Sequence, residues 1–239
     1  MLDLLLALLY PPRCPLCRRE LHRVRPGRFC RACSRRLAAP AAGCPRCADP
    51  GGTALCARCR ITPPAFARAR AALAYRSHPE DCAARTAIAR WKYAGDLPLG
   101  AALAARFATW GCTLPRDFDV VVPVPLDRRR LAVRGFNQAA VLARAVAEKC
   151  DRAMMPALGR ERFEHSQTAL GRAGRRHNVS GRFYARRPTV VAGRRALLVD
   201  DVLTSGATAD ECARTLLAAG ATRVEVWTLA RAGASVSSS

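Results

Sequence analysis

Residues 196–208 read Ala-Leu-Leu-Val-Asp-Asp-Val-Leu-Thr-Ser-Gly-Ala-Thr. An apolar run leads straight into two aspartates. A loop of small residues follows, and then an amphipathic helical pattern begins. The apolar run predicts a buried parallel strand. Thr204, Ser205, Gly206, Ala207 and Thr208 are small enough for a ligand to approach the backbone. The next helix turns its unpaired N–H groups to the same spot, so the loop suits a phosphate monoester. Asp200 and Asp201, at the strand end, can accept hydrogen bonds from ribose hydroxyls and orient water on Mg²⁺. A buried strand with an ordinary helix cap would need neither the acid pair nor so many small residues.

Working outward, the chain alternates strand and helix patterns. Residues 71–75 read as a strand, and 79–94 and 98–110 carry helical apolar spacing. Residues 119–126 read as a second buried strand ended by Pro123 and Pro125. A long basic turn, Asp127 to Arg134, precedes a helix running to about Lys149. Residues 160–182 are rich in Arg and Gly, lack periodicity and predict an exposed, flexible loop. Strand 196–200, helix 206–219 and strand 222–230 complete the pattern, and the serine-rich end from Ala232 predicts disorder. Alternation of this kind predicts an α/β fold with a mostly parallel sheet. A ligand would then sit beyond the carboxyl ends of the strands, where the acid-pair loop and the Pro123–Pro125 turn emerge.

The first quarter is different. Four CxxC pairs occur there: Cys14 and Cys17, Cys30 and Cys33, Cys44 and Cys47, Cys56 and Cys59. Each pair converges two sulfurs on one face of a tight turn, and two such knuckles close a tetrahedral Zn²⁺ site. Two structural zinc ions are therefore expected. Short intervals favour sequential pairing, because small loops close at lower entropic cost; spacing alone leaves the interleaved pairing open. A redox CxxC would occur once, beside a βαβ unit. Cys82, Cys112, Cys150 and Cys212 read as isolated buried thiols. Ile61-Thr-Pro-Pro64 marks a boundary, giving a small zinc module over 1–62 and an α/β domain over 63–239.

The formal charge is +22, and Lys92 and Lys149 are the only lysines among its cations. Zinc-bound thiolates would lower that charge, yet it still favours an anionic partner, either a phosphorylated small molecule or nucleic acid. The arginine surface of the zinc module fits two uses, contact with single-stranded DNA or a charged structural lid. Phe29 is the one aromatic inside the cysteine array, which counts against a dedicated single-strand reader. No apolar stretch approaches the roughly 20 residues that cross a bilayer. Residues 1–9 lack a basic start and a cleavage site, so they read as a packed helix rather than a signal peptide. Cysteines used for metal, without an export signal, predict a cytoplasmic protein. The sequence holds no GxxxxGK[ST], HExxH, GxGxxG or GxSxG motif, and its histidines show no ligand spacing.

Several segments together resemble one family. The acid pair with its phosphate cradle resembles the 5-phosphoribosyl-1-pyrophosphate (PRPP) motif of type I phosphoribosyltransferases. Pro123-Val-Pro-Leu126, Arg130-Leu131 and Arg134-Gly-Phe-Asn-Gln138 look like the signature of the ComF/GntX family. Arg160, Arg162, Gln167, Leu170, Arg175 and Asn178 follow that family's Q-x2-L-x4-R-x2-N pattern. Trp91-Lys-Tyr-Ala-Gly95 and Val224 to Arg231 resemble two further segments, and the double zinc ribbon is the family's usual amino-terminal half. Glu164 departs from the pattern, standing where threonine is common.

The resemblance implies a type I phosphoribosyltransferase-like fold. It implies that Thr204 to Thr208 hold the 5-phosphate and that Asp200 and Asp201 hold the ribose hydroxyls. Val124, Pro125 and Leu126 would offer backbone groups to Mg²⁺-pyrophosphate. The 160–178 loop would close over the site and supply Arg175, with Arg160 or Arg162. The implied reaction displaces pyrophosphate at the anomeric carbon by an unnamed acceptor. Two functions follow from these readings: a phosphoribosyltransferase, or a non-catalytic PRPP sensor that works with nucleic acid in DNA uptake. Mg²⁺-dependent PRPP turnover would mark the first, and salt-sensitive DNA affinity the second.

Overall fold

The computed structural model describes residues 11–21, 28–75, 82–161 and 183–233. Its centre is a five-stranded sheet in the order β1-β7-β6-β2-β3. The strands are β1 (Arg68–Tyr75), β2 (Val120–Pro123), β3 (Ala153–Met154), β6 (Arg195–Leu203) and β7 (Arg223–Ala232). Every pairing among them is parallel. A separate antiparallel pair, β4 (Leu158–Arg160) with β5 (Phe183–Ala185), lies beside it.

The period-2 alternation of β6 sends neighbours to opposite faces. Leu197 and Val199 enter a core with Trp91, Leu103, Phe107, Leu142 and Trp227. This side is covered by α3 (Ala83–Tyr93), α4 (Leu97–Gly111) and α6 (Gln138–Cys150). Ala196 and Leu198 enter a second core with Val120, Val122, Cys212, Leu216 and Val226, under α7 (Ala207–Ala218). A strand buried on both faces needs the unbroken apolar run seen in the sequence.

The cysteine-rich segment contributes α1 (Arg31–Arg36) and α2 (Ala57–Ile61). It lies along β1, the edge strand. Ala69 N–H donates to Arg46 O at 2.7 Å, and Ala74 N–H donates to Ala38 O at 2.9 Å. Ribbon backbone thus satisfies donors that an open sheet edge would expose. Leu37 joins the first core, while Cys44, Cys47 and Cys59 join the second.

Several expectations need correction. Residues 127–134 are no turn: α5 (Arg128–Arg134) occupies them, with Asp127 as N-cap accepting from Arg129 and Arg130 N–H groups and Gly135 ending it at φ 79°. Asp127 is a strong N-cap, and arginines carry good helix propensity without any apolar face. The second buried strand is shorter than 119–126 and stops at Pro123. β6 does not stop at Asp200; its ladder with β7 continues to Leu203, so the acid pair lies within the strand. β7 likewise includes Ala232. Cys112 is half-buried, and its Sγ lies 3.9 Å from Cys150 Sγ, so these two thiols are neighbours rather than isolated. Residues 1–9, all four histidines, most of the 160–182 loop and the tail from 234 fall outside the described residues.

Candidate functional site

The sheet opens at the acid pair. β2 pairs with β6 only as far as Pro123 opposite Val199, whereas β7 follows β6 beyond it. Asp200 and Asp201 therefore stand where β6 has lost one neighbour, at the carboxyl end of the strands. Asp200 Oδ1 accepts the Asp201 N–H at 2.8 Å. Burial, and then the adjacent Asp201 charge, push the Asp200 carboxyl up to about 7. Asp201 Oδ2 lies 2.7 Å from Lys92 Nζ, and both side chains are mostly buried. Lys92 comes from the last turn of α3, within the Trp91–Gly95 segment. Its place in that segment assigns it no role, and the one signal for it in the sequence is the rarity of lysine in this chain.

The loop after β6 leaves Thr204 and Ser205 exposed and Thr208 half-buried. Gly206 takes φ 82° and starts α7 as its N-cap, without a side-chain cap hydrogen bond. Any other residue would be strained in that left-handed conformation. Ala207 N–H leans on Ser205 Oγ at 3.4 Å. An uncapped helix start behind a small-residue loop suits an anion, and the carboxylates one turn of chain earlier suit hydroxyls or hydrated Mg²⁺. The residues present thus fit a phosphorylated, metal-accompanied sugar.

The facing turn is partly committed to the fold. Val124 N–H donates to Val199 O at 2.9 Å, and Val124 O accepts Asn137 Nδ2 at 3.0 Å. Val124 N–H is thereby used, while its carbonyl keeps a second acceptor lone pair beside the backbone groups of Pro125 and Leu126. Asn137 also caps α6, accepting Ala139 N–H at 3.0 Å, so one side chain fixes both turn and helix. Arg134 Nη1 donates to the buried Gln138 Oε1 at 2.6 Å. Arg160 ends β4, stacks over Phe183 at 5.4 Å, and its charge reaches Asp200. Arg162, Glu164, Gln167, Leu170, Arg175 and Asn178 lie outside the described residues. Beside Lys92 a cleft of about 600 Å³ is lined by Tyr93, Arg129, Arg130, Val133 and Arg134. Tyr93 is 81% exposed there, with the Arg134 guanidinium 5.6 Å from its ring centre.

The cysteines form two tetrads, Cys14, Cys17, Cys30 and Cys33, and Cys44, Cys47, Cys56 and Cys59. Pairing is therefore sequential. Cys17 and Cys30 sulfurs, and Cys47 and Cys56 sulfurs, are 3.7 Å apart. A tetrahedron with Zn–S bonds of about 2.3 Å has edges of about 3.8 Å, so the spacing fits zinc. Cys30 N–H points at Cys14 Sγ and Cys56 N–H at Cys44 Sγ, both at 3.4 Å. Burial opposes ionisation of Cys14 and Cys44, but such N–H contacts outweigh it and bring both thiols down to about 6. No helix of the described residues is long and apolar enough to cross a membrane.

Comparison with known proteins agrees with this architecture. Residues 5–60 match the double zinc ribbon domain, and residues 131–238 match the phosphoribosyl transferase domain. The DNA utilization protein YhgH of Salmonella typhi is 34% identical over 230 residues, covering 92% of this chain and 97% of the relative. The competence protein ComFC of Bacillus subtilis is 29% identical over 146 residues, covering 60% and 58% respectively. Among solved structures, the glutamine PRPP amidotransferase from B. subtilis, complexed with ADP and GMP, aligns with 54% of this chain and 26% of its own. That alignment has 24% identity and a TM-score of 0.41. The fold and the matched domains define a phosphoribosyltransferase-type domain behind a double zinc ribbon. The chain belongs to the competence protein F family, ComF/GntX.

Proposed function

We propose that the protein binds Mg²⁺-PRPP at the end of β6 and transfers its phosphoribosyl group to an acceptor. The observation that carries this reading is the acid pair at the break in the sheet, followed after Leu203 by a small-residue loop and the uncapped start of α7. Thr204 to Thr208 would hold the 5-phosphate through backbone N–H groups and hydroxyls. Asp200 and Asp201 would accept from the ribose hydroxyls, with Lys92 balancing their charge. Val124, Pro125 and Leu126 would face the pyrophosphate, and Arg160, with Arg175, would stabilise the charge that leaves with it. In the transfer the anomeric C–O bond breaks, pyrophosphate keeps the electron pair, and the acceptor's lone pair forms the new bond. Mg²⁺, when bound with PRPP, screens the pyrophosphate charge. Calorimetric titration of PRPP with and without Mg²⁺, together with assay of pyrophosphate release across acceptors, tests the proposal. Absence of PRPP binding would refute it.

The cationic cleft supports a second reading, in which the domain senses PRPP and the protein works with nucleic acid. An exposed tyrosine beside arginines suits a nucleobase stacked above a phosphate. The names of the relatives, DNA utilization protein and competence protein, belong to those proteins and are consistent with such a role. Under this reading single-stranded DNA binds in a salt-sensitive, sequence-tolerant manner, and Tyr93→Ala weakens it. PRPP binding without release of pyrophosphate would favour this reading over the transferase.

A further inference from the structure

The two zinc sites are attached to the domain differently. The first tetrad faces α3 and α4. Arg90 donates to Leu16 O at 2.7 Å and Pro15 O at 3.2 Å, and Arg106 donates to Ser34 Oγ at 2.9 Å. The second tetrad and the segment just after it are tied to the loop after β6 and the first turn of α7 by three separate links.

One link is Arg231, only 4% exposed. It donates to Cys47 O at 3.3 Å and Asp49 Oδ1 at 2.6 Å on the ribbon side. On the other side it donates to Leu203 O at 3.0 Å and Thr204 O at 2.6 Å. A single buried guanidinium therefore joins a metal ligand's backbone to the residues just before Ser205. Another link is Ala65 N–H to Asp210 Oδ1, 2.6 Å, in the first turn of α7. The third is Arg58. It stands between the ligands Cys56 and Cys59, on α2, whose N-cap is Cys56. Its Nη1 donates to Ser205 O. Its Nη2 lies 3.5 Å from where a Cβ on Gly206 would stand. Among the described residues Ser205 O is its one hydrogen-bond partner, which uses one of five guanidinium donors.

We infer that Arg58 of the second zinc site is part of the phosphate-binding apparatus, and that metal in that site, unlike the first, sets affinity for a sugar 5-phosphate. This rests on the reading of residues 204–208 as a phosphate cradle. A neutral loop and a helix start contribute partial charges, and Arg58 adds a full positive charge with planar donors suited to a phosphate monoester. Its position depends on Cys56 and Cys59 being drawn together by one ion. Loss of that ion frees α2 and the backbone of Cys47, and with them the anchors of the loop. Loss of the first ion loosens contacts to α3 and α4 and leaves the loop held.

The test uses the full, zinc-loaded chain, with ribose 5-phosphate and Mg²⁺-pyrophosphate as separate probes in calorimetry. Arg58→Ala should weaken ribose 5-phosphate binding about tenfold or more, the size expected of a charge-assisted contact. Arg58→Lys should restore part of it. Pyrophosphate affinity and zinc content should stay at wild-type values, which a general loosening of the ribbon or the loop would not allow. Cys59→Ser should lose ribose 5-phosphate affinity, and Cys17→Ser should keep it. Should the cysteine variants fail to fold, the Arg58 pair decides alone. Wild-type affinity in Arg58→Ala overturns the inference and leaves the cradle reading standing. A wild type that binds PRPP but not ribose 5-phosphate overturns the cradle, and the inference with it.

Discussion

Lys92 Nζ stands 2.7 Å from Asp201 Oδ2 and so ties the last turn of α3 to β6 at the point where the strand has lost its β2 neighbour. The two residues are far apart in sequence, and both side chains are largely shielded from water. Asp201 accordingly carries its own counter-ion. Asp200, next to it, has its charge opposed by burial and by Asp201. Two adjacent carboxylates thus meet different environments, one paired with a lysine and one whose ionisation is opposed by burial and by its neighbour.

Lys92→Met should destabilise the protein, because it leaves Asp201 as a poorly solvated charge without its partner. A loss of roughly 1–3 kcal/mol in urea unfolding is expected. Adding Asp201→Asn should return part of that loss, since the stranded charge is then gone. A double variant as unstable as the sum of the singles would show that the two residues are not coupled.

Asp200 should make stability depend on pH. Its folded-state value of about 7 lies above the ordinary 3.8, so the native state holds its proton where the unfolded chain has released it. Stability therefore falls as pH rises through that window and levels off above it. Asp200→Asn removes this dependence. Compared between about pH 5.5 and pH 8, the variant should lose on the order of 1 kcal/mol less than wild type, the full linkage of about 2 kcal/mol being reduced by partial solvent access at the cleft. Parallel pH profiles would contradict the raised value.

The purified, reduced protein should contain about two zinc ions per chain, one for each cysteine tetrad. Elemental analysis measures this directly. A folded protein with zinc content near zero would contradict it. Chelation should also loosen the cover over β1, because Arg46 O and Ala38 O reach that strand from the ribbon. Faster amide exchange at Ala69 and Ala74 would report the change.

What could be read from the sequence was local. The apolar run of β6, its acids and its small-residue loop sit within a few residues, and each CxxC pair sets its own geometry. The short strands β3, β4 and β5 carry too few residues for a periodic signal. α5 was hidden because its apolar residues, Leu131 and Val133, are 40% and 92% exposed and form no buried stripe. The contacts that complete the site join distant segments: Lys92 with Asp201, Arg58 with Ser205, and Arg231 with Cys47. Arginine is so abundant here that neither Arg58 nor Arg231 stood out from the general charge. Only the fold separates a buried tether such as Arg231 from a solvated one.

The measurement that tests the proposed activity most directly is PRPP affinity of wild type against Asp200→Asn with Asp201→Asn, at fixed Mg²⁺. The double variant is nearly isosteric and should keep its fold and zinc content. It should bind PRPP more weakly by roughly 1.5–3 kcal/mol per lost charge-assisted hydrogen bond, or about tenfold or more. Equal affinities for the two proteins would mean that the strand, loop and helix around the acid pair serve structure alone, and the transferase reading would lose its foundation.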